Sequence, residues 1–82
     1  MEGEFVSMQE IVVVSPAWGR FDRQVLAEDG SVDQGTVIGT VRDGGPDVLV
    51  LSPVRGSLLS WIAWAGERVS PGAPIARILP ET

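Results

Sequence analysis

The sequence contains no cysteine, no histidine, no tyrosine and no lysine among its 82 residues. Without cysteine the chain can form neither a disulfide nor a thiolate metal site, and without histidine it lacks the commonest general base and metal ligand. All six basic residues are arginines, so no lysine amine is present to form a Schiff base or a cofactor amide. We therefore expect a protein that is not an enzyme, with no catalytic residue, no metal and no cofactor.

Positive charge is scarce as well, since six arginines stand against eleven acidic residues and the net charge is −5. A basic face suited to a phosphate backbone or an anionic lipid surface is not expected, so nucleic acid and membranes are excluded as partners. The longest apolar runs are Ile11–Val14 and Val48–Leu51, much shorter than the roughly 18–20 residues that cross a bilayer. The acidic start Met1-Glu2-Gly3-Glu4 is unlike a secretory signal, and we expect a cytoplasmic protein.

The chain does contain short β-branched runs separated by turn clusters of Gly, Pro and Asp, with no sustained helical periodicity. Its length fits one small domain. We predict an all-β domain over residues 10–80, preceded by an N-terminal arm over residues 1–9 with Phe5 and Val6 packed against the domain. The predicted strands are Glu10–Ser15, Gly19–Leu26, Thr36–Arg42, Asp47–Leu51, Ser57–Trp61 and Pro74–Leu79, with short extended segments near Val32 and Val69.

An internal repeat organises these strands. A shift of 37 residues superposes Ser15-Pro16 on Ser52-Pro53, Gly19 on Gly56, Gly35 on Gly72 and Ile38 on Ile75. Gly30 and Gly66 are 36 residues apart, which predicts that one residue was gained and lost between these anchors. Two copies are too few for a solenoid. We predict a flattened β-barrel or sandwich made of two four-stranded halves related by a pseudo-two-fold axis.

Residues 52–78 resemble the biotinyl/lipoyl attachment domain, with Ser52-Pro53, Gly56, the Gly66-Glu67 turn before Val69, Gly72 and Ile75 in the family's order. Residues 14–23 look like the entry strand of the biotin carboxyl carrier subunit of acetyl-CoA carboxylase. The resemblance covers residues 10–79 and implies the duplicated β fold. In this family biotin or lipoate is attached to a lysine at the tip of the hairpin that joins the halves.

The resemblance places the family's lysine at Gly45, counting forward from Gly35 or backward from Pro53. The tip here reads Arg42, Asp43, Gly44, Gly45 and Pro46. The chain is therefore identified as a degenerate member of the superfamily, with no residue for attaching a prosthetic group. The adjacent glycines predict a two-residue hairpin turn, and Asp43 and Asp47 are expected to be solvated turn carboxylates.

Two groups of apolar residues are candidate interfaces. We interpret Trp61 as a core residue, whereas Trp18 and Trp64 lie near turns and either form an interface or pack against the arm. The outward residues of the two apolar runs, Val12, Val14, Leu49 and Leu51, are predicted to form one joint apolar patch for a homodimer or a docking protein. Alternatively, the N-terminal arm covers that patch.

These features predict a non-enzymatic protein-interaction or structural component without a prosthetic group. The resemblance implies an acyl-CoA carboxylase-type or related acyl-processing assembly, and the expected partner is a carboxylase or acyltransferase-type subunit or a second copy of the chain. Two alternatives remain open. One is an accessory carrier-type subunit that works beside a separate modified carrier, and the other is a small-ligand-binding regulatory barrel with Trp18 and Trp64 as an aromatic clamp.

Overall fold

The computed structural model describes residues 9–81, in which eight strands and no helix are present. The predicted arm over residues 1–9, with Phe5 and Val6, lies outside the described residues except for Gln9. No helix in the described part could cross a membrane. The strands are β1 (Ile11–Val14), β2 (Gly19–Arg23), β3 (Ser31–Val32), β4 (Val37–Arg42), β5 (Val48–Leu51), β6 (Gly56–Trp61), β7 (Arg68–Val69) and β8 (Pro74–Pro80).

The strands form two four-stranded antiparallel sheets. Sheet 1 has the order β1-β8-β6-β3, and sheet 2 has the order β5-β4-β2-β7. Each strand of sheet 1 corresponds to the strand of sheet 2 that lies four places away in the chain, so that β1, β8, β6 and β3 match β5, β4, β2 and β7 in order. The predicted architecture of two pseudo-symmetric halves is therefore confirmed. The predicted strand Gly19–Leu26 is too long, since β2 ends at Arg23 and Val25 is 92% exposed.

The repeated Ser-Pro motif connects each edge strand to the opposite sheet. The backbone N–H of Ser15 donates to the carbonyl of Ala73 and that of Ser52 to the carbonyl of Thr36, both at 2.8 Å. Each serine hydroxyl is buried and donates to the carbonyl two residues later at 2.7 Å. These bonds place the end of β1 against the β7–β8 connection and the end of β5 against the β3–β4 connection.

The turn before β3 and the turn before β7 correct one detail of the predicted repeat. The first is closed by the N–H of Gly30 donating to Ala27, and the second by the N–H of Glu67 donating to Trp64. Gly30 and Glu67 are equivalent at a shift of 37, so the prediction that a residue was gained and lost is wrong. Each turn contains one glycine with a positive φ, but at different positions: Gly30 is the fourth residue of the first turn, and Gly66 is the third residue of the second.

The core lies between the two sheets because alternate residues of each strand point inward. Val13 of β1 and Val50 of β5 are buried, while their neighbours on both sides are wholly or partly exposed. The largest fully buried apolar side chains are Phe21, Ile38, Ile75, Ile78 and Val41. Trp61 packs against this core as predicted, with its ring 5.9 Å from that of Phe21 and the Arg23 guanidinium 5.1 Å above it.

Gly19 and Gly56 open the equivalent strands β2 and β6 at points where two backbones meet. A Cβ at Gly19 would collide with the carbonyl oxygen of Arg42, and a Cβ at Gly56 would collide with that of Leu79. Since Arg42 and Leu79 are themselves 37 residues apart, both halves use glycine for the same close approach. The repeated glycine is thus a packing requirement of the fold.

Candidate functional site

The hairpin tip between β4 and β5 is exposed from Arg42 to Asp47. The last paired residues of the hairpin are Val41 and Val48, so the predicted two-residue turn is wrong and the connection is longer. Only Gly44 has a positive φ, of 78°. An ion pair closes the base of the tip, because Arg42 Nε lies 3.3 Å from Asp47 Oδ1.

The resemblance implies covalently attached biotin or lipoate, and the tip provides no side chain to which either group could be attached. The expected bond is an amide to a primary amine, and Gly45 stands at the predicted lysine position with open space around its Cα. The other tip side chains are a guanidinium, a carboxylate and a proline ring, and a second carboxylate follows at Asp47. The tip can therefore present charge and backbone to a partner, but it offers no amine for covalent attachment.

Three arginines form a row across the outer face of sheet 2 beside the tip. Arg20 of β2 is directly opposite Arg42 of β4 on one side and Arg68 of β7 on the other. All three side chains are exposed, and residues paired in this way point to the same face of a sheet. We call these three residues the arginine row. It holds half of the positive charge of the chain.

A shallow cavity of about 460 Å³ adjoins the arginine row. Trp18 forms part of its wall and is 68% exposed. The cavity lies where β2 begins and β7 ends, and the start of the hairpin tip completes it. Its lining residues are Trp18, Gly19, Asp43, Arg68, Val69 and Ser70. This region combines an aromatic surface, a guanidinium and a carboxylate, which suits it to a ligand or segment with both apolar and charged groups.

Trp64 is 75% exposed, but it does not line this cavity. It begins the turn before β7, and a hydrogen bond from its N–H to Glu67 Oε1 at 2.9 Å fixes that turn. The predicted aromatic clamp of Trp18 and Trp64 around one ligand is therefore not assembled at this cavity. Each tryptophan presents its own exposed aromatic surface.

The four outward apolar residues of the edge strands are exposed, as expected: Val12, Val14, Leu49 and Leu51. The expectation of one joint patch is nevertheless wrong. β1 lies at the edge of sheet 1 next to the β7–β8 connection, and β5 lies at the edge of sheet 2 next to the β3–β4 connection. The pseudo-two-fold axis therefore carries the two apolar strips to opposite edges of the sandwich.

The acidic side chains do not gather into a metal site within residues 9–81, where no group of three potential ligands occurs. The pKa of the Asp29 carboxyl lies below its usual value because it accepts hydrogen bonds from the backbone N–H and the hydroxyl of Ser31. Asp29 is fully exposed in the turn before β3, away from the arginine row. This carboxylate stabilises a local turn.

The arginine row was missed at the level of sequence because net charge says nothing about placement. Its members come from three separate strands, and only the antiparallel register brings them together. The signal that could have located them is the repeat itself. The residues one period away from Arg20, Arg42 and Arg68 are Ser57, Leu79 and Ser31, so the two halves differ in charge at three equivalent outward positions.

Comparison with known proteins shows similarity at the level of structure. No protein-family model and no curated protein matches the sequence. A single-chain, multi-domain long-chain acyl-CoA carboxylase is similar with a TM-score of 0.78 and 14% identity, over 98% of this chain and 8% of that one. The urea carboxylase of Kluyveromyces lactis is similar with a TM-score of 0.77 and 20% identity, over 96% of this chain and 7% of that one.

At these identities the likeness concerns the fold. This chain spans less than a tenth of either carboxylase. The matches and the eight-stranded topology together confirm the fold class predicted from the biotinyl/lipoyl resemblance, a flattened two-sheet structure with pseudo-two-fold symmetry.

Proposed function

We propose that the chain is a biotinyl/lipoyl-like domain that carries no prosthetic group and acts as a non-enzymatic protein-interaction or structural component. The observation that supports this most strongly is the tip, where Gly45 stands in place of the family's lysine and no lysine exists elsewhere in the 82 residues. A domain of this fold without an attachment amine retains a rigid β body and exposed surfaces. Docking by shape and charge is the role that remains for such a body.

The proposed setting is a cytoplasmic acyl-CoA carboxylase-type or related acyl-processing assembly. It is supported by the similarity to small regions of an acyl-CoA carboxylase and of a urea carboxylase, each much larger than this chain. The proposed partner is accordingly a protein, either a carboxylase or acyltransferase-type subunit or a second copy of this chain, and not a nucleic acid or a membrane. The proposed contacts are the hairpin tip and the exposed residues Trp18 and Trp64, with the two apolar strips as further candidates.

An accessory subunit that works beside a separate modified carrier is the closest alternative. It places the same unmodified domain in the same assembly and differs only in requiring a second, biotin- or lipoate-bearing chain. The small-ligand barrel has less support, because the space between the sheets is filled by buried apolar side chains and the two exposed tryptophans do not share the cavity.

The experiment is capture of the tagged full chain from its native host under mild conditions, followed by mass spectrometry of the bait and of its partners. We expect the bait to have the mass of its sequence with no biotin or lipoate adduct, and a carboxylase or acyltransferase-type subunit to co-purify. An additional band that binds streptavidin or an anti-lipoate antibody would favour the accessory-subunit alternative. A covalent adduct on the bait would contradict the proposal, and so would the absence of both an acyl-processing subunit and a second, untagged copy of the chain. The absence of the subunit alone would reject the proposed assembly.

A further inference from the structure

The arginine row is unfavourable for the folded domain taken alone. Arg20 faces a like charge on both neighbouring strands, and like charges directly opposite each other destabilise a sheet. The positive charge of Arg42 is offset by its ion pair with Asp47. Among residues 9–81, however, no carboxylate lies within ion-pair distance of Arg20 or Arg68, so this part of the chain supplies no acidic partner for the middle and one end of the row.

The fold itself does not require this charge, because the other sheet has the same three paired positions without it. In sheet 1, Ser57 is directly opposite Leu79 on one side and Ser31 on the other. These pairs reproduce the pairing of the arginine row at a shift of 37 residues in each strand. The same backbone geometry therefore folds with two hydroxyls and a leucine, so the three arginines are not needed for the fold and are available for binding.

We propose that the arginine row and the adjoining cavity at Trp18 bind a short acidic segment of a partner protein. Carboxylates complement the row, since each guanidinium presents a planar pair of donors that matches a carboxylate. The three Cα positions lie on neighbouring strands and so span only about 10 Å, given strand spacings of about 4.8 Å. A segment with two or three acidic side chains is long enough to occupy the row.

The cavity defines the second feature of the segment. Trp18 offers a broad apolar surface beside Arg68, and Ser70 and Asp43 close the cavity with polar groups. An aliphatic or aromatic residue next to the acidic ones would place its side chain against Trp18 while the carboxylates reach the row. The recognised sequence is therefore acidic residues flanking one apolar residue.

Charge also distinguishes this segment from a nucleic acid. The carboxylate of Asp43 forms part of the cavity wall, Asp47 already neutralises Arg42, and the whole chain carries a net charge of −5. A polyanion would be repelled by the surrounding acidic surface, and the row could neutralise only about two of its phosphates. A short peptide makes the local contacts without extending over that surface.

The experiment is an NMR titration of the full chain with the peptide Glu-Glu-Leu-Glu-Glu, using Gln-Gln-Leu-Gln-Gln as the uncharged probe. We expect the backbone amides of Arg20, Arg42 and Arg68 and the indole N–H of Trp18 to shift with the acidic peptide. The indole of Trp64 should stay unmoved, which makes it an internal control. Binding should weaken as salt is added.

The decisive variant is Arg20→Ser with Arg68→Ser, which places in sheet 2 the residues that sheet 1 already has. It should retain a folded spectrum and weaken binding by about tenfold, as expected for the loss of two exposed carboxylate pairs. The matched control is Arg55→Ser with Arg77→Ser, which removes the same charge from exposed positions elsewhere. That control should bind within about twofold of the parent, since its arginines lie outside the row.

Three results would overturn the proposal. They are equal weakening by the two double variants, equal shifts with the glutamine peptide, and tighter binding of single-stranded DNA or pyrophosphate than of the acidic peptide at the same residues. The inference takes its docking role from the proposed function, but its test needs no carboxylase. If the peptide binds the row in the titration while no acyl-processing subunit co-purifies in the capture experiment, that pair of results would support the acidic-segment site and reject only the proposed assembly.

Discussion

The two halves of the molecule share a backbone and differ on their surfaces. Residues that hold the fold recur one period apart, as in the buried pair Ser15 and Ser52 and the close-contact pair Gly19 and Gly56. The charged residues on the outer faces do not recur in the same way, since the arginine row of sheet 2 corresponds to two serines and a leucine in sheet 1. A duplicated protein therefore separates positions required for folding from positions available for binding.

The exposed tryptophans follow the same rule. Trp18 corresponds to Arg55, which forms ion pairs with Asp33 and Glu81, and Trp64 corresponds to Ala27. Neither tryptophan has an aromatic equivalent in the other half, although the turn that begins at Trp64 and the turn that begins at Ala27 are closed by the same hydrogen bond. The aromatic side chain of Trp64 is therefore not needed to form its turn.

The largest expected effect tests the equivalence of the halves at the close contacts. Gly19→Ala and Gly56→Ala each push a methyl group into a backbone carbonyl, and each should lower the free energy of unfolding by about 2–3 kcal/mol. Urea denaturation of both variants measures this. A loss for one variant and none for the other would show that the halves are not equivalent in packing.

The serine pair should give the next largest effect. Ser15→Ala and Ser52→Ala each remove a buried hydroxyl that donates to a carbonyl at 2.7 Å, and each should cost about 1–2 kcal/mol of unfolding free energy. Thermal denaturation followed by circular dichroism is the measurement. Cysteine at the same positions is a useful control, because it retains the volume and loses most of the hydrogen bond.

The hairpin tip allows a matched pair of variants. Gly44→Ala should cost about 1 kcal/mol because its φ of 78° lies in the left-handed region. Gly45→Ala should change stability by less than about 0.5 kcal/mol, since its Cβ would meet nothing and the site is exposed. Equal losses in urea denaturation would contradict the tip geometry described above.

Removal of charge from the arginine row should have a small effect of the opposite sign. Arg20→Ser with Arg68→Ser relieves like-charge pairing and should raise the free energy of unfolding by up to about 0.5 kcal/mol at low salt. Arg55→Ser in the other half loses two exposed ion pairs and should lower it by about 0.5 kcal/mol. A clear loss of stability in the double variant would mean that the row serves the fold.

The smallest expected effect concerns the turn before β3. Asp29 accepts two hydrogen bonds from Ser31, which lower its pKa, whereas its equivalent in the other half is Gly66. A carboxyl whose folded pKa is depressed stabilises the protein above its unfolded pKa and loses that contribution as pH falls through the folded pKa. Ser31→Ala should move the pKa of Asp29 toward its usual value in an NMR titration, and an unchanged pKa would contradict the assigned hydrogen bonds.

Much of the fold could be predicted from sequence because turn residues and a repeat report directly on backbone geometry. The β-branched runs between turn clusters located six strands and the two short extended segments, and the Ser-Pro motifs and paired glycines located the repeat. The predicted strand Gly19–Leu26 ran past the end of β2 because Val25 is β-branched but exposed. The turn residues and the repeat do not show how far apart equivalent residues lie in the folded sheets. A repeat shows that Val12 and Leu49 are equivalent, but the position of the symmetry axis decides whether equivalent residues meet or lie at opposite edges.

The candidate site was predictable only in part for the same reason. The tip and its missing lysine could be read from position and composition, whereas the arginine row depends on the pairing of three strands that are distant in sequence. The two-residue turn was wrong because adjacent glycines permit a tight turn without requiring one. The observed tip instead uses one left-handed glycine and the ion pair between Arg42 and Asp47.

On the proposed function, one outer face of a symmetric, unmodified domain is the docking surface. Hydrogen–deuterium exchange of the complex captured from the native host, compared with the free chain, tests it most directly. We expect the backbone amides of β2, β4 and β7 in sheet 2 and of the tip to exchange more slowly in the complex, and those of β6 and β8 in sheet 1 to exchange at the same rate. Equal protection of both sheets, or protection confined to sheet 1, would contradict it.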